Sequence, residues 1–285
     1  MTAKALLYTQ GGALRAPWRI VGFLAASAVS GLFATAVLAP FHSALGATGV
    51  PELADWLVIL AAVAGGHVIA QRWIDPRPWR DVCLDRRAAR PQRLAEGYLV
   101  GVLAIGLPSA ALIAAGWLSV QPHAPGSWTT AALRVSSLLL VAALAEELIF
   151  RGYIFAVLRE KFGWGPALAV TSVAFGYAHV SNPGASTRAL LLVMLAGLFL
   201  GGIVAVMRSL YAAWMAHFAW NWTMAVLLHI PVSGVATETP DYRTVDAGPD
   251  WATGGPWGPE GGAGAGLGMI AGLGYLVARR RQEPA

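Results

Sequence analysis

Residues 138–155 read LLLVAALAEELIFRGYIF. The run is apolar enough for hydrocarbon, yet it carries Glu146, Glu147 and Arg151. A charge at mid-bilayer costs about 2.5–3.5 kcal/mol on insertion scales, so three ionisable groups within six residues need a compensating structure. Composition says what surrounds them. The 285 residues are 56% hydrophobic and 12% charged, with mean hydropathy +0.58. A soluble domain carries about 25% charged residues. One water-facing core cannot absorb so much apolar surface, and the class is a polytopic membrane protein.

A helix needs about 20 apolar residues to cross the hydrocarbon. The pattern predicts an all-α transmembrane helical bundle of about eight spans, at 18–40, 52–72, 94–118, 130–157, 164–181, 188–207, 211–229 and 263–278. The last is short and glycine-rich, a re-entrant or strongly packed segment. The first reads as an uncleaved span rather than a signal peptide. Lys4, Arg15 and Arg19 precede or open the first span. Arg72, Arg77, Arg80, Arg86, Arg87, Arg90 and Arg93 follow the second. Arg159 and Lys161 follow the fourth, Arg208 the sixth, and Arg279, Arg280 and Arg281 the eighth. The other side holds Arg188 and Arg243, with Arg134 at a span end. The positive-inside rule then places both termini in the cytoplasm. Trp18, Trp56, Trp73, Trp128 and Trp164 fall near span ends, as interface anchors do.

The chain therefore reads as a single integral-membrane domain over 1–285. Residues 230–262, rich in Gly, Pro and acids, read as an exposed, partly irregular external loop. The net charge of +5 does not imply nucleic acid, because the basic residues sit between apolar blocks rather than on one face. The single Cys83 cannot form an intrachain disulfide and reads as a bystander thiol in a basic loop.

Glu147 and Arg151 are four residues apart, on one helical face, and can neutralise each other. Glu146 is turned about 100° away and has no local partner, which makes it the free carboxylate. Phe175 and His179 share a face of the fifth span, and His217 and Asn221 a face of the seventh. Lipid offers such groups no hydrogen bonds, so they must face the bundle interior. If they converge, Glu146 can take a proton from water, helped by His179 or a metal, and His217 with Asn221 can donate to a developing oxyanion. The depths are at odds with convergence: Glu146 and His217 lie toward the cytoplasmic half, and His179 toward the outer end if its span begins at Trp164. A later start, a tilt, or an interfacial turn at KFGWGP (161–166) would reconcile them. SNPGAST (181–187) closes the fifth span after His179. His67 reads as a packing or helix-contact residue, His229 as interfacial, and His42 and His123 as residues of short external loops.

Glu146-Glu147-x-x-x-Arg151, Phe175-x-x-x-His179 and His217-x-x-x-Asn221 resemble, in order, the three motifs of the CPBP intramembrane proteases. That family includes the type II CAAX prenyl endopeptidases and the bacteriocin-processing and abortive-infection proteins. The resemblance spans roughly 130–229, the catalytic core. It implies an eight-helix membrane fold and peptide-bond hydrolysis within the bilayer. Glu146 then corresponds to the catalytic glutamate, His179 to its water-orienting partner or a metal ligand, and His217 and Asn221 to the oxyanion side. Glu147, Arg151 and Phe175 support the site.

Zinc sites commonly use three protein ligands and an open position, and Glu146, His179 and His217 are the candidates. Each sits on a different span, and Asn221 one turn beyond His217 favours an oxyanion pair over ligation. The balance falls on a glutamate-activated water without an obligatory divalent metal. The implied partners are the bilayer and a membrane-associated protein or peptide substrate; no nucleic acid is implied, and oligomeric state is open. The alanine-rich, lysine-poor composition points to a bacterial inner membrane, with the site opening toward the cytoplasm. Two other functions compete. An ion-coupled transporter also uses intramembrane Glu and His, but the first half has no matching broken helix. A non-catalytic scaffold or immunity protein would not need the intact constellation.

Overall fold

The computed structural model describes residues 6–41, 44, 46, 52–237 and 239–282; Lys4 and His42 lie outside them. Nine helices of ten or more residues occur among the described residues: α1 (Ala16–Leu38), α2 (Glu52–Ile69), α3 (Pro91–Ala114), α4 (Trp128–Arg151), α5 (Tyr153–Phe162), α6 (Trp164–Tyr177), α7 (Thr187–Met207), α8 (Leu210–Trp222) and α9 (Ala263–Gln282). Among the described residues, four segments are long and apolar enough to cross a membrane: Ala16–Phe41, Glu52–Ile74, Pro91–Ala114 and Thr187–Met207. The helices that carry the motifs are shorter or more charged. At about 1.5 Å per residue, the 14 residues of α6 extend about 21 Å, less than the hydrocarbon thickness of about 30 Å.

The core gathers around α7 and α8. Helix α8 packs against α3, α4 and α7, α6 packs on α7, and α9 lies across α3 and α7. The glycine-rich eighth segment is thus a 20-residue helix with close neighbours on two sides. Small residues let α3 and α8 approach: a Cβ at Gly97 or Gly101 would overlap the carbonyls of Ala212 and Ala216. With no solvent to drive helix association, close backbone packing of this kind holds membrane helices together. The start of α8 is pinned from the basic loop. Ser209 caps the helix by accepting from Ala212 N (3.0 Å) and donates to Ala88 O (2.6 Å), while Leu210 N donates to Cys83 O (3.0 Å). Cys83 is therefore a buried residue of a docked loop, 2% exposed.

Three expectations change. The single span at 130–157 is two helices, interrupted at Gly152 (φ −85°, ψ −125°). The cause is His67, whose Nδ1 is 2.7 Å from Val63 O and whose Nε2 is 2.9 Å from Tyr153 N. The carbonyl accepts only, so Nδ1 carries the proton and Nε2 accepts the first amide of α5. His67 is thus a cap delivered from α2, and a Cβ at Gly152 would overlap it. Helix α6, in place of the fifth span expected to run to 181, ends at Tyr177, so His179 stands in the turn beyond it, held by its Nδ1 against Phe175 O (2.8 Å).

The third correction concerns the later part of 230–262: the described residues of 235–251 are largely exposed or half-buried, but 252–262 are mostly buried. Strand β2 (Tyr242–Asp246) pairs antiparallel with β1 (Leu118–Pro122), Leu118 opposite Asp246. The segment then turns inward. Trp257 is 1% exposed and packs with Phe175, Ala189 and Val193, and Glu260 is 9% exposed. The glycines that suggested irregularity permit this: Gly258, at φ +94°, sits where a Cβ would overlap Pro231 O.

Candidate active site

Glu147 and Arg151 form the ion pair that their spacing predicts, Arg151 Nη1 donating to Glu147 Oε1 at 2.9 Å. Both side chains are fully buried. Such a pair is held by partners beyond itself. Arg151 Nη2 donates to Gly197 O of α7 (3.3 Å), and the guanidinium lies over the Phe175 ring, 4.3 Å from its centroid. Phe175 thus roofs the cation and places the turn that holds His179, whose ring is 4.8 Å away. The third contact was not legible in sequence: His217 Nδ1 is 2.9 Å from the same Glu147 Oε1. Glu147 therefore joins α4 to α8 as well as neutralising Arg151.

Glu146 is separate from this pair. Its Oε2 is buried without a hydrogen-bond partner and stands 3.9 Å from His217 Nε2. Glu146, His179, His217 and Asn221 line one cavity of 430 Å³. Convergence is reached with α6 beginning at Trp164, as the short α5 and the turn at Gly163 (φ +84°) set α6 beside α7. The rest of the wall is largely apolar, including Leu138, Ala142, Phe199 and Leu200, with Trp56 and Ile59 from α2.

Hydrogen bonding assigns the imidazole faces. His179 Nδ1 donates to a carbonyl, which leaves the Nε2 of a neutral ring as an acceptor. His217 Nδ1 faces a carboxylate that already serves Arg151, so it carries a proton. Its Nε2 accepts in the neutral ring and donates only in the imidazolium.

Asn182, Ser233 and Glu260 also line the cavity. Asn182 belongs to the turn that the sequence places beside His179. The other two come from 230–262, where a carboxylate flanked by Gly and Pro gives no periodic signal of burial. His229, read as interfacial, stacks on Tyr242 with ring centroids 3.8 Å apart. Among the described residues, no three His, Cys, Asp or Glu side chains are gathered closely enough to hold a metal ion. Glu146, His179 and His217 as placed do not fit a three-ligand zinc site.

A helical cavity within apolar surroundings, holding one unpartnered carboxylate and two anchored imidazoles, has the chemical inventory of a hydrolase. The comparisons narrow that class. Residues 126–223, about a third of the chain, match the family described as Type II CAAX prenyl endopeptidase Rce1-like. The match runs from the cap of α4 through the end of α8 and contains every motif residue named above. It supports assignment to the CPBP/CAAX protease family, and with the four apolar helices it supports an integral membrane protein. No curated protein and no solved structure matches the chain.

Proposed function

We propose that the protein is an intramembrane endopeptidase in which Glu146 activates a water against a peptide bond of a membrane-associated protein or peptide. The observation that carries this reading is the buried, unpartnered Glu146 Oε2 in a cavity it shares with His179, His217 and Asn221. Glu146 takes a proton from the water, and His179 Nε2 orients that water by accepting its second hydrogen. The oxygen adds to the scissile carbonyl carbon. Asn221 donates to the resulting oxyanion through its amide, and His217 does so through Nε2 when the ring is an imidazolium between Glu146 and Glu147. Return of the proton from Glu146 to the amine nitrogen breaks the C–N bond and restores the carboxylate. General-base and oxyanion contributions of this kind are each worth about 10²–10³-fold. The largely apolar walls lower the local dielectric, which strengthens both.

The same reading carries eight spans, α1–α4 and α6–α9, with α5 at the membrane surface and both termini cytoplasmic. The regular alternation of arginine-rich and arginine-poor connections supports it. It places the protein in a bacterial inner membrane, with the cavity reaching toward the outer side, where the connections that carry His179, Asn182, Ser233 and Glu260 lie in this arrangement. No step requires a metal.

The test is cleavage of membrane-anchored model substrates by purified protein in proteoliposomes, with Glu146→Gln as the control. Turnover by the natural chain and its loss in the variant are expected. Full turnover in Glu146→Gln assigns the base elsewhere.

A further inference from the structure

We propose that Glu260 is a cation-recognising subsite of this cavity, selecting substrates that carry a basic side chain or a free amino group close to the bond to be cut. The inference rests on the proteolytic reading above for the meaning of "substrate", and on three observations for the subsite.

The first is position. Glu260 lies on the turn Pro259–Gly261 and lines the same cavity as Glu146. Its Oε2 accepts from Trp220 Nε1 at 2.9 Å. Trp220 stands three residues beyond His217 and next to Asn221 on α8. Three residues of helix advance about 4.5 Å, and an extended peptide advances about 3.3 Å per residue. A substrate laid along this face with its reacting carbonyl at His217 and Asn221 reaches Glu260 within a few residues.

The second is charge. All the polar contacts of Glu260 are donated to it. Besides Trp220, Oε1 accepts from Ser233 Oγ at 2.6 Å and from Ser233 N. This is the pattern of a carboxylate, and every donor is neutral. Among the described residues Glu260 makes no ion pair. Arg188 is exposed and gives its Nε to Gly261 O at 3.1 Å, without an ion pair to Glu260. Glu147, by contrast, has Arg151 within the protein. Buried charges are normally paired, and Glu260 faces a cavity in place of a counter-ion.

The third is that its structural ties do not call for a charge. Ser233 is also held by Asn182, whose Nδ2 donates to Ser233 O at 2.9 Å. A neutral acceptor could join α8 to this loop with less desolvation. A carboxylate at that place repels an anionic group, so a free C-terminal carboxylate is disfavoured at this end of the cavity.

The experiment measures binding rather than cleavage. Glu146→Gln protein in nanodiscs is titrated with apolar decapeptides that differ at one position: lysine, norleucine or glutamate. Each is tested with a free and an acetylated amino terminus. The Glu146→Gln background removes the other unpaired carboxylate as a source of charge preference. The lysine or free-amine peptides are expected to bind at least about ten-fold more tightly than the neutral ones, with glutamate weakest. Acetylation separates a side-chain cation from an amino terminus. Adding Glu260→Gln should reduce the preference to within about two-fold. Equal affinities for lysine and norleucine at every position, together with equal affinities for free and acetylated amino termini, overturn the subsite. If Glu260→Gln does not fold, the peptide series on the Glu260 protein decides alone. A charge preference without cleavage by the natural chain removes the protease reading and leaves the subsite. Cleavage without a charge preference does the reverse.

Discussion

His217 and Glu147 are joined across two helices by a 2.9 Å contact between Nδ1 and Oε1, and that contact separates the roles of two adjacent glutamates. Glu147 spends its charge on Arg151 and His217, deep between α4, α7 and α8. Glu146, one residue earlier, is turned to the cavity with an oxygen free.

Glu147→Gln and Glu146→Gln should therefore fail differently. Removing one partner of a buried ion pair costs about 3–5 kcal/mol, so Glu147→Gln should lower the unfolding temperature in detergent and reduce expression. Glu146→Gln should change stability by less than about 1 kcal/mol and abolish turnover. Equal unfolding temperatures for the two variants would contradict this division.

The break at Gly152 gives a second expectation. His67→Leu leaves Tyr153 N–H without its acceptor in a buried place, at a cost of about 1–3 kcal/mol. Gly152→Val forces a side chain onto the His67 ring and should be worse. Thermal unfolding of both in one detergent ranks them, and a Gly152→Val protein as stable as the natural chain would show that α4 can run on unbroken.

Cys83 offers a readout of the docked loop. Burial pushes its thiol above the ordinary value, partly opposed by the charges of Arg208 and Arg159. Maleimides react with the thiolate, so labelling of the folded protein at neutral pH should be slower than in SDS by at least about an order of magnitude. Raising the pH should accelerate it. Rapid labelling in the folded state would mean that the loop does not dock on α8.

Topology is checked by reporter fusions after Asp85 and after Val245. Opposite sides are expected, with Asp85 cytoplasmic. The same side for both removes the eight-span arrangement.

Exhaustive chelation should leave cleavage within about two-fold of the untreated protein, since among the described residues no three potential ligands are gathered. Loss of activity that returns with stoichiometric zinc would reverse that expectation.

What the sequence determined by itself was the side-chain pairing that depends on spacing within one helix and the membrane class that depends on hydropathy. The membrane class follows from 12% charged residues. The pairing of Glu147 with Arg151 follows from one helical turn, and the free state of Glu146 from a rotation of about 100°. The three motifs were legible because each lies within a short local pattern.

Tertiary structure decided what depends on residues far apart in the chain. His67 ends α4 from a helix 86 positions away, and no local pattern at Gly152 announces it, since the signal is an acceptor supplied from outside. His217 reaches Glu147 across 70 positions, because Gly97 and Gly101 let α8 sink against α3. The stretch 252–262 has loop composition and yet is mostly buried, since its glycines allow the backbone to pack where side chains would collide. Glu260 became a cavity residue only by that packing, which brings a carboxylate from an irregular segment against Trp220.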